Sequence, residues 1–228
     1  MVRKLVLTNF LSLAVFCCGY AQISNPYGLK IINSRTEYLT AIALDSNTKL
    51  VEITKRIPNI KLDIRYATTN NFAGVAVYNQ ARAFARVPVV LALKSVQKEL
   101  NKKGLGLKIF DAYRPYSVTV KFFEVANDKN FVASPKTGSR HNRGCAIDLT
   151  LINLRSGKEL KMPTPYDSFA AEASPGFQDL PKRVKANRDL LIQVMENNGF
   201  EVLHNEWWHF DFKDWKQFDL MDIPFKQL

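Results

Sequence analysis

The run Cys145-Ala146-Ile147-Asp148-Leu149-Thr150-Leu151-Ile152 constrains the fold more than any other stretch of this 228-residue chain. Successive side chains of a strand point to opposite faces. As a strand, the run places Ile147, Leu149 and Leu151 on one face and Ala146, Asp148 and Thr150 on the other, so a carboxylate points away from the most apolar side. The loop before it, Ser139-Arg140-His141-Asn142-Arg143-Gly144, carries one of only three histidines in the chain. Six residues lie between His141 and Asp148, enough for the loop to fold back so that both donors face one point.

The other elements frame this strand. Ile60 to Tyr66 alternates apolar and polar residues and is expected to be a strand, followed by turn chemistry at Asn70-Asn71-Phe72-Ala73-Gly74. Pro88 suits the first turn of a helix in which Val89, Leu93, Val96 and Leu100 recur at helical spacing up to Gly104. A short strand, Leu107 to Phe110, runs into Asp111-Ala112-Tyr113-Arg114-Pro115, where the proline disfavours helix at Arg114. Val118, Phe122 and Val125 mark a second helix; a loop with Pro163, Pro165 and Asp167 leads to a third, from about Pro181 to Asn197, stopped by Asn198-Gly199. Phe200 to Leu203 and Asn205 to Phe212 are aromatic runs expected as strands. Helices and strands do not alternate regularly, so the expected class is α+β, a mainly antiparallel sheet with helices packed on it.

The first residues bear on compartment and redox chemistry. Arg3 and Lys4, an apolar run from Leu5 to about Cys18, and Gly19-Tyr20-Ala21 describe an export signal cut after Ala21, too short for a membrane span. A lipid anchor through Cys17 or Cys18 is a lesser alternative, disfavoured by the bulky Phe16. Cleavage would leave Cys145 as the sole cysteine, excluding an internal disulfide and suggesting a buried, inert thiol. The expected division is a leader at 1–21, an extended lead-in at 22–50 and a single domain at 51–228. The net charge of +11 includes Arg3 and Lys4 of the leader. The remaining basic residues are scattered, without the aromatic-basic stripe of a nucleic-acid surface.

A catalytic zinc takes three ligands from His, Asp, Glu or Cys and keeps one position for water; its chemistry needs a nearby carboxylate to accept a proton. His141, Asp148 and His209 are candidate ligands, and Glu206 precedes His209 by three residues. In a regular strand Glu206 and His209 would face opposite ways, so Glu206 must lie in the preceding turn or a bulge must re-aim it.

The patterns Ser139-x-His141-x-x-Gly144-x-Ala146-x-Asp148 and Glu206-x-Trp208-His209 resemble the signature of the zinc D,D-peptidases. That group includes D-alanyl-D-alanine dipeptidases, D,D-carboxypeptidases and the hedgehog zinc-binding fold. Asp63-Ile64-Arg65-Tyr66-Ala67-Thr68, Asn71-Phe72-x-Gly74 and Gly106 through Pro115 resemble the dipeptidase branch, so the likeness runs from about Asp63 to Phe212.

The resemblance implies a hedgehog/D,D-peptidase-like fold for the domain at 51–228, one zinc ion bound by His141, Asp148 and His209, and Glu206 as general base. It further implies Arg114 as stabiliser of the oxyanion, Ser139 and Asp167 as contacts for the carboxylate and ammonium ends of a substrate, and D-alanyl-D-alanine as that substrate. His204 fits no ligand slot and is expected in a loop or behind the ligands. Two alternatives stay open: a D,D-carboxypeptidase acting on longer wall peptides, and a non-catalytic zinc-binding domain of hedgehog type. An exported, periplasmic or extracellular location follows from the leader.

Overall fold

The structure, a computed structural model, describes residues 25–126 and 128–228. The leader expected at 1–21, with Cys17 and Cys18, lies outside the described residues. In chain order the strands are β1 (Ile31–Ile32), β2 (Leu50–Glu52), β3 (Lys61–Leu62), β4 (Phe84–Arg86), β5 (Leu105–Asp111), β6 (Ala146–Asn153), β7 (Phe200–Leu203), β8 (Glu206–Phe212) and β9 (Leu220–Met221). The helices are α1 (Arg35–Leu44), α2 (Ile53–Arg56), α3 (Val87–Asn101), α4 (Tyr116–Val125) and α5 (Lys182–Asn197). The main sheet has five strands in the order β3-β5-β6-β8-β7, antiparallel except for the β3–β5 pair. The protein is therefore α+β with a mainly antiparallel sheet, as its element pattern indicates.

The core follows from the periodicities. β6 is buried along all but its last residue, with Ile147, Leu149 and Leu151 fully enclosed. Helix α3 turns Val89, Leu93, Val96 and Leu100 inward and packs on β5 and α5; α5 adds Leu191, Val194 and Met195 and packs on β6, β7 and β8. Each fully buried aliphatic side chain contributes about 1.5–3 kcal/mol relative to exposure. The outer end of α5 is set by Gly199, whose φ of +88° is a left-handed stop.

Two local expectations need correction. The segment 22–50 is not simply an extended lead-in, because it contains the ten-residue helix α1. Its physical cause is a capping box: Ser34 Oγ accepts from the Glu37 N–H at 3.2 Å, while Glu37 Oε2 accepts from the Ser34 N–H at 3.3 Å. The strand expected over Ile60 to Tyr66 is also shorter, two residues long, because the chain leaves β5 after Asp63, whose N–H donates to the Ile109 carbonyl at 2.8 Å, and coils into a 3₁₀ turn at Arg65–Ala67. Among the described residues no helix is long and apolar enough to cross a membrane.

Candidate metal centre

Three strands bring the site together in one row. Asp148 on β6 is the cross-strand partner of Asp111 on β5 and of His209 on β8. His141 enters from a 3₁₀ turn, His141–Arg143, just before β6. Gly144 closes that turn at φ +70°, and a Cβ there would lie 2.5 Å from Leu50 Cδ2. The glycine of the His-x-x-Gly pattern thus has two reasons to be glycine, a left-handed backbone and a close neighbour. Arg86, almost fully buried, holds the same turn by donating from Nε to the Arg143 carbonyl at 2.6 Å, from Nη2 to the Asp219 carbonyl at 3.1 Å, and from Nη1 to that of Thr48.

The donor atoms converge. His141 Nε2 lies 3.2 Å from His209 Nδ1 and 3.4 Å from Asp148 Oδ1, and the latter two are 3.0 Å apart. A tetrahedral ion with ligand bonds of about 2.0–2.2 Å has donor–donor edges of about 3.3–3.6 Å, so the triangle is close to the size of a metal's face and slightly tighter. The outer ring nitrogens are committed: His141 Nδ1 faces the Ala112 carbonyl at 2.7 Å, and His209 Nε2 faces Asp211 Oδ1 at 3.0 Å. With the outer nitrogens committed to these acceptors, the inner nitrogens are the ones left to coordinate a cation. Asp148 Oδ1 is buried with no hydrogen-bond donor, and Oδ2 accepts from Tyr166 Oη at 2.9 Å. Burial opposes charge on Asp148, yet His141 and His209 hold its carboxyl well below the usual range. A cation suits this set of inward atoms, and these three residues form a candidate metal cluster.

The parity conflict at Glu206 is resolved by a bulge. Val202 on β7 pairs with Phe210, but its neighbour Leu203 pairs with Glu206, so Trp207, Trp208 and His209 have no partner on β7. The excess residues twist the strand and put Glu206 Oε2 3.7 Å from His209 Nδ1. Burial raises the Glu206 pKa, with Asp148 adding to the rise and His209 opposing it. A second irregularity on β5, between Ile109 and Asp111, brings Asp111 opposite Asp148.

Arg114 leaves β5 beside the cluster. Its Nε and Nη2 donate to Asp111 Oδ2 at 3.0 and 2.8 Å, and its guanidinium lies 5.2 Å from the Tyr66 ring centre and 4.9 Å from that of Phe122. Burial works against its charge, but Asp111 and the surrounding acidic groups keep it firmly protonated. Ser139 Oγ accepts from the His141 N–H at 3.2 Å, which leaves its own proton to donate. Asp167 has φ +61°, the one described non-glycine residue in the left-handed region, and Tyr66 Oη donates to its Oδ1 at 3.0 Å. Its Oδ2 is buried without a partner, and burial followed by Asp148 pushes its pKa well up. Asp167 therefore holds one buried carboxyl oxygen that no side chain satisfies.

The remaining expectations are also placed. Cys145 is fully buried and burial pushes its thiol up to about 12, so it is an unreactive packing residue at neutral pH. His204 is exposed in the turn between β7 and β8, away from the cluster. Sequence reasoning missed Asp211, Asp111 and Tyr166 as partners of the site. Asp211 shares strand parity with His209 and Asp111 precedes Arg114 by three residues, so both carried a signal; Tyr166, in a proline-rich loop, carried none.

Three converging donors beside the Glu206 carboxylate and the buried Arg114 guanidinium are a set that a metal-dependent hydrolase would use, with His141, Asp148 and His209 to hold the ion. Comparison with known proteins narrows the class. The family profile described as D-ala-D-ala dipeptidase, Peptidase M15, matches residues 46–225. The D-alanyl-D-alanine dipeptidase of Escherichia coli (strain K12) is 31% identical over 182 residues, covering 80% of this chain and 94% of that protein. That of Enterococcus faecalis (strain ATCC 700802 / V583) is 30% identical over 178 residues, covering 68% and 87%. A vancomycin-resistance D,D-pentapeptidase mutant solved with Zn(II) superposes with a TM-score of 0.38 and 15% identity, covering 59% of this chain and 75% of the other. The chain belongs to the D-Ala-D-Ala dipeptidase family of metallopeptidases.

Proposed function

We propose that this protein is an exported, zinc-dependent dipeptidase that hydrolyses D-alanyl-D-alanine to two D-alanines. The observation that carries the reading is the triangle of His141 Nε2, Asp148 Oδ1 and His209 Nδ1, with edges of 3.0–3.4 Å, and Glu206 Oε2 3.7 Å from its His209 corner. His141, Asp148 and His209 would hold the ion. Bound there, zinc supplies a Lewis acid for the peptide carbonyl and a water acidic enough to lose a proton near neutral pH.

This chain's residues account for the remaining steps. Glu206 takes the proton of the attacking water and returns it to the departing amine. Arg114, held by Asp111, offers a fixed positive charge to the oxyanion, and a preorganised donor of this kind contributes about 10²–10³ in rate. Ser139 donates its hydroxyl to the substrate carboxylate. Asp167 Oδ2, which lacks a partner, receives the free ammonium. An ammonium beside it would also lower the pKa that burial has raised.

A purely structural site is less well supported, since structural zinc takes a fourth protein ligand and neither His204 nor Cys145 joins the cluster. Export rests on the leader at 1–21. The test is release of D-alanine from D-alanyl-D-alanine by purified protein, abolished by a chelator and restored by zinc. Equal turnover of the L,L isomer, or activity indifferent to chelation, rejects the reading.

A further inference from the structure

The loop that carries Asp167 also carries Phe169, and Phe169 belongs to a set of rings drawn from three separate loops. It stacks on Phe131 with centres 4.5 Å apart and planes 23° from parallel, and it meets Phe72 at 6.1 Å. Phe72 in turn sits edge-on to Phe122 at 5.0 Å and to Tyr66 at 6.2 Å. Tyr66 and Phe122 are the rings beneath the Arg114 guanidinium, and the Tyr66 hydroxyl is the one that holds Asp167. An unbroken aromatic series therefore runs from the floor under Arg114 to the outer pair Phe131–Phe169.

The outer members are not ordinary core residues. Phe169 is 44% exposed and Phe131 and Phe72 are half-buried, yet Phe169 stacks on Phe131 and meets Phe72 at a tilt of 57°. Apolar rings left at the surface in such an arrangement suit a wall more than a centre of packing. The left-handed backbone at Asp167 turns the chain so that one short loop presents both a carboxyl oxygen that no side chain satisfies and a ring reaching across to two other loops.

Resting on the dipeptidase reading above, we infer that Phe72, Phe131 and Phe169 form a clasp that walls off the space beyond Asp167 and limits the substrate to two residues. Asp167 selects for a free ammonium by charge, whereas the clasp excludes additional residues by bulk. A tripeptide puts an amide N–H where the dipeptide has its ammonium, so it both forfeits the Asp167 contact and meets the rings; the two devices are separable because replacing a ring changes only the second.

The experiment compares kcat/KM for D-alanyl-D-alanine and for a tripeptide extended by one glycine at the amino end, in wild type, Phe169→Ala, Phe131→Ala and Phe169→Tyr. The exposed position of Phe169 keeps its variants folded, which melting curves check. The alanine variants are expected to raise the tripeptide-to-dipeptide ratio by about tenfold or more, the scale on which an apolar pocket discriminates. Phe169→Tyr should keep the wild-type ratio. A ratio unchanged in both alanine variants overturns the clasp, and so does a wild type that cleaves the tripeptide as well as the dipeptide, although peptidase activity then stands. A wild type inactive on both peptides rejects the dipeptidase reading itself, and the clasp with it.

Discussion

Asp211 Oδ1 lies 3.0 Å from His209 Nε2, on the side of the imidazole opposite the nitrogen that faces His141 and Asp148. The carboxylate fixes the tautomer and the ring angle, and Arg140 Nε, 3.5 Å from Asp211 Oδ2, steadies it from outside. Replacing Asp211 by Asn is expected to weaken zinc binding about 10- to 100-fold. Competition against a chromophoric chelator measures this directly; an unaltered affinity would show that the carboxylate has no orienting role.

Glu206→Gln keeps the shape of the side chain and removes its capacity to accept a proton. Hydrolysis should fall by about 10²–10⁴ while the protein still binds one zinc per chain. Metal analysis and turnover on the same sample separate this from ligand loss, and full turnover by the variant would reassign the base.

Arg114→Ala has two consequences. The oxyanion loses its cation, which costs about 10²–10³ in kcat. Asp111, 1% exposed, also loses both guanidinium hydrogen bonds and keeps only the Tyr78 hydroxyl at 2.8 Å, which should cost about 3–5 kcal/mol of stability because a buried carboxylate is left without its cation. Adding Asp111→Ala should restore part of the stability and none of the activity. Urea titrations of the single and double variants show whether the two effects separate.

Gly144→Ala tests the turn that presents His141. An added methyl would meet Leu50 Cδ2 at 2.5 Å on a backbone at φ +70°, so a loss of roughly 1–3 kcal/mol is expected, together with weaker zinc binding. A melting temperature equal to wild type would show that the turn relaxes freely.

Acid stability should depend on Glu52. Hydrogen bonds from Arg82 at 2.9 and 2.8 Å, opposed by burial and aided by Lys55, bring its pKa from 4.5 down to about 2. A carboxylate more acidic in the folded state stabilises the protein above its unfolded pKa and loses that contribution as pH falls through the folded value. Wild type and Arg82→Gln should therefore differ most in urea midpoint above about pH 5 and converge between about 4.5 and 2. A difference independent of pH would exclude this pair as its source.

How much was legible in the residues varied with the length of the interaction. Helices α3, α4 and α5 and strands β5, β6 and β8 announce themselves because apolar spacing reports which face is buried, and β6 carries that signal along nearly its whole length. The candidate metal ligands were legible through residue type and spacing, with the family likeness assigning their roles. The position of Glu206 was not, because strand parity assumes a regular ladder and the pairing of Leu203 with Glu206 breaks it. Helix α1 was overlooked although Ser34 and Glu37 have capping-box spacing, since its apolar face is weak and only Tyr38 is buried. Tyr166 and the aromatic contacts of Phe169 arise only when distant loops meet, and no local pattern encodes them.

The parallel pairing of Ile31 with Leu220 and Ile32 with Met221 fastens the two ends of the described chain to one another. Asp219, next to that pairing, gives its carbonyl to Arg86, which also grips Arg143 in the turn of His141. Trimming the protein to residues 46–225, the segment matched by its family, would strip a neighbour from Leu220 and Met221. A loosened tail would reach the zinc ligand through two hydrogen bonds of a single arginine, so tags and deletions at either terminus belong among the variables that govern metal content.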